Sequence, residues 1–372
     1  MNNDNPLMIW LAPHIFAKSL FRPTFRSLVS QIPDYEPYET LTGMDLNAAL
    51  TNVLDRCLGV QARERVLILA DTDSDHLVVD MLCRGIDERG ATASVLALER
   101  FDIPGSEVAP DVARTMREND AVIELTSTFI GSNQARRDAN ARGVRYLAMP
   151  GITRQTLRAD GPLGVDFDGL RQSAEEIGEL WTQASEFRLT TPAGTDLCGS
   201  ILGRPGRVLH GICRTSGSYM APPDIEAGTA PIEGTTHGVA VIDADLLFMG
   251  VGRISEPVVL TFDEGQLVSA EGPESHRLTN MIERCNDHLM TNFAEVSLGL
   301  NPAGHVCDVA METESALGTA HIALGNSIAY GGRVAARAHL DCVMRDALLT
   351  LDSVPVPAKA IMGTPSTPGD TQ

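Results

Sequence analysis

Apolar side chains recur along this chain at two different periods, and the change from one to the other divides it. Residues 46–58 carry them at helical spacing, and Arg65-Val66-Leu67-Ile68-Leu69-Ala70 is a short continuous apolar run, the pattern of a strand buried on both faces. A helix over 77–86, a strand over 91–98 and a helix over 110–117 follow, with Pro110 suited to a first turn. Further strands are predicted at 121–125 and 143–148. Strands separated by helices of this length imply βαβ units, so residues 46–185 read as an α/β domain with an open, mostly parallel sheet.

Beyond Trp181 the pattern shifts to short strands with turn signals, at 238–243, 258–262 and 266–270, with Asp263-Glu264-Gly265 as a hairpin turn. A helix is predicted over 277–291. From 294 to 341 short apolar segments are broken by Gly299, Gly304, Gly318, Gly325, Gly331 and Gly332, backbone that a ligand can approach closely. Residues 186–353 therefore read as a strand-rich α+β domain that binds metal and carries the chemistry. The Pro-, Thr- and Gly-rich stretch 354–372 reads as a flexible tail, and 1–45 as an N-terminal arm.

Composition narrows the function. The formal net charge of −20 would repel a phosphate backbone, and no basic stripe offsets it, so neither nucleic acid nor an anionic membrane is an expected partner. The apolar stretch 7–21 is interrupted by Pro13, His14 and Lys18 and is too short to span a bilayer; its leader lacks the positive charge of a secretory signal. Seven scattered cysteines without a C-x-x-C pair suit reduced thiols and a cytoplasmic location.

The most informative local pattern is His339-Leu340-Asp341, because residues i and i+2 of a strand share a face and an imidazole and a carboxylate would converge there. His321 and Glu295 also lie in apolar, glycine-flanked settings, where a charged group needs a partner. Nitrogen and carboxylate donors without thiolate suit Zn, Mn, Co or non-haem Fe. Asp71-Thr72-Asp73-Ser74-Asp75 follows the first strand and is expected to cap the next helix. No Gly-x-Gly-x-x-Gly follows that strand, and no Gly-x-Ser-x-Gly elbow occurs, which argues against a dinucleotide and a serine hydrolase.

Five blocks carry a family resemblance: Gly194-Thr195-Asp196-Leu197, residues 225–231, residues 294–302, residues 318–325 and His339-Leu340-Asp341. In order and rough spacing they resemble the thermophilic aminopeptidase family, the two-metal exopeptidases of the aminopeptidase T and S type. The resemblance implies Glu226, Glu295, His321, His339 and Asp341 as metal ligands, and a homodimer. The family's catalytic tyrosine position holds Ile328 here, and the nearest tyrosine is Tyr330. A second branch of the same superfamily, 2,5-dihydroxypyridine 5,6-dioxygenase, is similar over residues 233–243, 299–302 and 339–341. That branch has a mononuclear iron on two histidines and one carboxylate, a histidine where this chain has Glu295, an apolar residue where it has His321, and a histidine in the loop that here holds Ser127, Thr128 and Phe129.

These ligands favour the hydrolase branch. The expected activity is hydrolysis of an amide or peptide bond in a small molecule or short peptide, by water activated on two divalent ions (Zn, Mn or Co). Glu226 or Glu295 would shuttle the proton, and Tyr330 would stabilise the oxyanion. The alternative is a mononuclear Fe(II) dioxygenase opening a hydroxylated pyridine; the third reading is a metal-free α/β binding protein.

Overall fold

The computed structural model describes residues 47–362; the arm expected over 1–45 and the end of the tail lie outside the described residues. The first half is a parallel sheet flanked by helices. Strands β1 (Arg65–Ala70), β2 (Thr92–Ala97), β3 (Ala121–Glu124) and β4 (Arg145–Ala148) pair in parallel in the order β2-β1-β3-β4. β3 and β4 are buried throughout and β1 at every position but its first, which is why they read as mostly apolar runs, broken only by the buried Glu124 and Arg145. Helices α1 (Asn47–Thr51), α2 (His76–Glu88), α3 (Pro110–Arg117), α4 (Gln134–Ala141) and α5 (Phe167–Gln183) accompany them. Asp75, Asn133 and Asp166 cap α2, α4 and α5, their side chains accepting from Leu77 N, Arg136 N and Gly169 N. The single helix expected over 46–58 is α-helical only to Thr51 and continues as π-helix through Asn52–Cys57.

The second half adds β5 (Glu186–Thr190), β6 (Asp196–Ser200), β7 (Arg207–Leu209), β8 (Tyr219–Met220), β9 (Glu226–Thr229), β10 (His237–Ile242), β11 (Asp245–Leu246), β12 (Val258–Asp263), β13 (Gln266–Glu271), β14 (Phe293–Gly299), β15 (Ala320–Gly325), β16 (His339–Met344), β17 (Leu348–Leu351) and β18 (Val354–Pro355). β8 returns to the parallel sheet as its last strand, beside β4. The others form two antiparallel sheets, of order β13-β12-β10-β6-β5-β17-β18 and β11-β16-β15-β14-β9-β7. The fold is thus a parallel α/β sheet followed by a strand-rich antiparallel part.

Three helices complete the second half: α6 (Ser275–Cys285), α7 (Ala310–Ser315) and α8 (Ala358–Met362). The helix expected over 277–291 stops at Cys285 because Asn286 takes a left-handed conformation, φ 48°, and the chain resumes as a 3₁₀ turn at His288–Thr291. The stretch expected to be loose from 354 forms β18 and α8 as far as Met362. No helix among the described residues is long and apolar enough to cross a membrane.

Candidate metal centre

The register of the six-stranded sheet decides which side chains meet. Glu226 of β9 lies opposite Gly299 of β14, Ser297 of β14 opposite His321 of β15, and Ala323 of β15 opposite Asp341 of β16. Cross-strand partners, and residues two apart on one strand, share a face. Glu226, Glu295, His321, His339 and Asp341 therefore all point to one side of the sheet, although they come from four strands.

Glycine leaves room for this. A Cβ on Gly228 would lie 1.7 Å from Ser297 Oγ, and one on Gly299 would lie 2.4 Å from Thr319 Oγ1. The Ser297 hydroxyl, opposite Gly228, donates to Glu295 Oε1.

The resulting cluster is dense and buried. Glu295 and His321 are fully inaccessible and Glu226 is 1% exposed, while His339 and Asp341 keep 14% and 16% of their side chains accessible, marking the open side. His321 Nε2 lies 3.0 Å from Glu226 Oε2, 3.0 Å from Glu295 Oε1 and 3.6 Å from Glu314 Oε1. One ring nitrogen cannot donate one hydrogen to three carboxylates. His339 donates from Nδ1 to the Asn326 carbonyl at 2.6 Å, so its Nε2 is the nitrogen that faces Glu295 Oε2 at 2.8 Å and Asp341 Oδ1 at 3.1 Å. Those two oxygens, with Glu226 Oε2 and His321 Nδ1, are buried without a hydrogen-bond partner.

Two overlapping groups have ligand atoms within 4.8 Å of one another: Glu226, Glu314 and His321, and Glu295, His321 and Asp341. Convergent, unsatisfied donors of nitrogen and carboxylate type fit a divalent cation. A backbone carbonyl fixing the other nitrogen of a ligating histidine is the usual support for such a site.

The electrostatics agree. Burial disfavours the charged forms of His321 and His339, yet the surrounding carboxylates outweigh it and raise both imidazoles well above their usual range. Burial pushes Glu226 up, aided by Glu295, and pushes Glu314 up, aided by Asp341. Burial also works to raise Glu295, but His321 and His339 beside it prevail and draw it down to about 2. The metal-free cluster thus balances its charge with protons on the imidazoles and on the raised carboxyls, protons that a divalent cation would displace.

The structure brings all five expected ligands together, along with Tyr330. Tyr330, on the 3₁₀ turn Ile328–Tyr330, donates its hydroxyl to Glu226 Oε1 at 2.5 Å and stacks on His339 with ring centroids 5.5 Å apart. Ile328 is 51% exposed. Glu314, and Asp224 with its unsatisfied Oδ1, were not singled out by sequence reasoning. The available signal for Glu314 was a carboxylate within the glycine-broken stretch just before His321. The loop after β3 serves structure: Ser127 donates from both N and Oγ to Asp71 Oδ2, at 2.7 and 2.8 Å.

The family model for 2,5-dihydroxypyridine 5,6-dioxygenase, NicX, matches residues 45–362. No curated protein sequence matches the chain. Among solved structures, the chain is similar to 2,5-dihydroxypyridine dioxygenase from Pseudomonas putida KT2440, with 19% identity and a TM-score of 0.70 over 84% of this chain and 94% of that one. It is also similar to AmpT from Thermus thermophilus, with 17% identity and a TM-score of 0.58 over 84% of this chain and 96% of that one. At these identities both likenesses establish the fold alone. The family match corrects the expectation of an aminopeptidase or amidase: that expectation rested on a few positions, Glu295 and His321 above all, whereas the match spans both halves of the chain. The chain belongs to the 2,5-dihydroxypyridine 5,6-dioxygenase family.

Proposed function

We propose that this protein is a non-haem Fe(II) dioxygenase that opens a hydroxylated aromatic ring, with hydroxypyridines as the substrate class. The reading is carried by the family match over residues 45–362, and the convergence of His321, His339, Glu295 and Asp341 supports it. Two imidazoles and a carboxylate are the donor set that suits mononuclear non-haem iron. Iron bound there would supply the one-electron chemistry that lets dioxygen react with an electron-rich ring.

The protein's own residues bind, orient and hold protons. The Asn326 carbonyl fixes the ring of His339 so that Nε2 faces the site. Tyr330 keeps its proton, since burial and Glu226 raise it well above the usual range, and directs it at Glu226 Oε1. That leaves Glu226 Oε2 for the cation or for the proton released by a ring hydroxyl. Glu295 divides its oxygens between His321 and His339 and so orients both rings toward the site.

Oxygen uptake by Fe(II)-loaded protein mixed with 2,5-dihydroxypyridine, together with moles of metal per chain, tests the proposal. Consumption of one O₂ per ring opened, with about one iron bound, is the expected result. Turnover without oxygen uptake would overturn it, and about two ions per chain would revise the count.

A further inference from the structure

We propose that Arg204 and Arg207 are positioning residues for Tyr330: they clamp the carbonyls on either side of it, and so hold its hydroxyl at Glu226 and its ring over His339. The inference rests on the ring-opening reading above and names the part of the protein that keeps the tyrosine in register with the metal centre. Three successive carbonyls of the tyrosine's turn each receive one donor from the chain around β7 and β9. Arg207 Nε donates to the Ala329 carbonyl at 2.8 Å, Ala230 N to the Tyr330 carbonyl at 3.1 Å, and Arg204 Nη1 to the Gly331 carbonyl at 2.5 Å.

The clamp and the acceptor of the tyrosine hydroxyl belong to one strand pair. β7 begins at Arg207 and pairs with β9, where Leu209 lies opposite Glu226. Thr229 of β9 donates its hydroxyl to the Pro205 carbonyl at 2.8 Å, which staples residues 204–207 to the same strand. The contact between Tyr330 and Glu226 is therefore set from one side by β9 itself and from the other by a strap bonded to β9. Glu233 closes the frame: its two oxygens accept from Arg204 Nη2 at 2.5 Å and from Arg333 N at 2.8 Å, beyond the far end of the turn.

Two observations separate this arrangement from routine satisfaction of backbone groups. The turn is at the surface, with Ala329 exposed and Ile328 51% exposed, so water would serve its carbonyls. Arg204, by contrast, keeps only 9% of its side chain accessible, and a guanidinium is costly to bury unless it is paired. A nearly buried charge is thus committed to a surface turn. That turn also needs support, because Tyr330 is followed by Gly331 and Gly332, the most permissive backbone there is, with Gly331 at φ 88°. Gly331 lies directly on the strap: a Cβ there would meet Pro205 Cγ and Cδ at 2.8 Å.

The test is fluorine NMR of the full chain, loaded with diamagnetic Zn(II) and labelled with meta-fluorotyrosine, run beside oxygen uptake by the Fe(II)-loaded protein and Tm. The chain has five tyrosines, and the signal lost in Tyr330→Phe identifies the one at the turn. In Arg204→Gln and Arg207→Gln that signal is expected to move toward the position of free fluorotyrosine, while those of Tyr146 and Tyr219 in the parallel sheet stay. Oxygen uptake with 2,5-dihydroxypyridine should fall toward the ~10-fold loss expected of Tyr330→Phe. Combining Arg204→Gln with Tyr330→Phe should cost no more than about 2-fold beyond Tyr330→Phe alone, because both act through one hydroxyl. Arg204→Lys keeps the charge beside Glu233 and should recover part of both readouts. If Arg204→Gln does not fold, the exposed Arg207→Gln carries the expectation by itself. A parent-like Tyr330 signal in the glutamine variants, equal movement of the Tyr146 and Tyr219 signals, or losses that multiply in the double variant would overturn the clamp. If the parent takes up no oxygen with 2,5-dihydroxypyridine, the ring-opening reading fails and the fluorine signal still decides the clamp.

Discussion

His339 gives its Nδ1 hydrogen to the Asn326 carbonyl at 2.6 Å, and so commits Nε2 to a point between Glu295 Oε2 and Asp341 Oδ1. Without a cation the two carboxylates keep a second proton on that ring, at Nε2, and a bound metal ion would take that proton's place. His339→Ala and Asp341→Asn should each lower metal affinity by at least ~10-fold, read as metal per chain after dialysis against a weak chelator. Undiminished metal in both would mean that the ion is held elsewhere.

Tyr330 and Ile328 make a paired test of the turn that carries them. Tyr330→Phe removes the hydroxyl bonded to Glu226 but keeps the ring stacked on His339. Turnover should fall by ~10-fold or more with metal content retained. Ile328→Ala, at a half-exposed position, should leave both near parent values. Equal losses in the two variants would point to a folding effect of the turn.

Chelation should destabilise the protein before it unfolds it. Without a cation, Glu226, Glu295, Glu314 and Asp341 crowd around two imidazoles in a buried volume. A ligand that binds only the folded state adds about 4 kcal/mol at a thousandfold excess over Kd, so stripping the metal should lower Tm by several degrees, reversed on adding Fe(II). An unchanged Tm would argue against a bound ion in the folded state.

Glu124 gives a pH signature outside the metal centre. Burial raises its carboxyl from 4.5 to about 7, despite bonds from Ile130 N and the Tyr146 hydroxyl. A carboxyl raised in the folded state favours folding below its unfolded value, and that contribution is lost as pH climbs from about 4.5 through about 7. The difference corresponds to about 3 kcal/mol. Glu124→Gln should flatten stability against pH between about 5 and 7, as measured by urea unfolding. A parent-like slope in the variant would place the titration on another group.

Gly228 is required by its neighbour. With a Cβ 1.7 Å from Ser297 Oγ and 2.4 Å from the Val296 carbonyl oxygen, Gly228→Ala must push β9 from β14 and carry Glu226 with it. A loss of about 1–3 kcal/mol in unfolding free energy is expected, with weakened metal binding. Parent-like stability would mean that the two strands part more easily than their pairing suggests.

The sequence by itself determined the alternation of β1 to β4 with helices, because a strand buried on both faces is mostly apolar and shows as a short apolar run between helical periods. It also determined that His339 and Asp341 share one face of a strand, since a strand's period of two needs no tertiary knowledge. It could not decide the break at Asn286, where a single left-handed residue ends an otherwise helical pattern. Nor could it decide the short strands β5 and β6, whose outer faces are polar, or the return of Tyr219–Met220 to the parallel sheet, which is a pairing across more than seventy residues. Only the tertiary structure decided that Glu314 joins the centre, that Tyr330 and not Ile328 reaches Glu226, and that Phe129 meets Phe248. Contacts of that kind depend on strand register and on loops meeting across the cleft, and no local period in the chain records them.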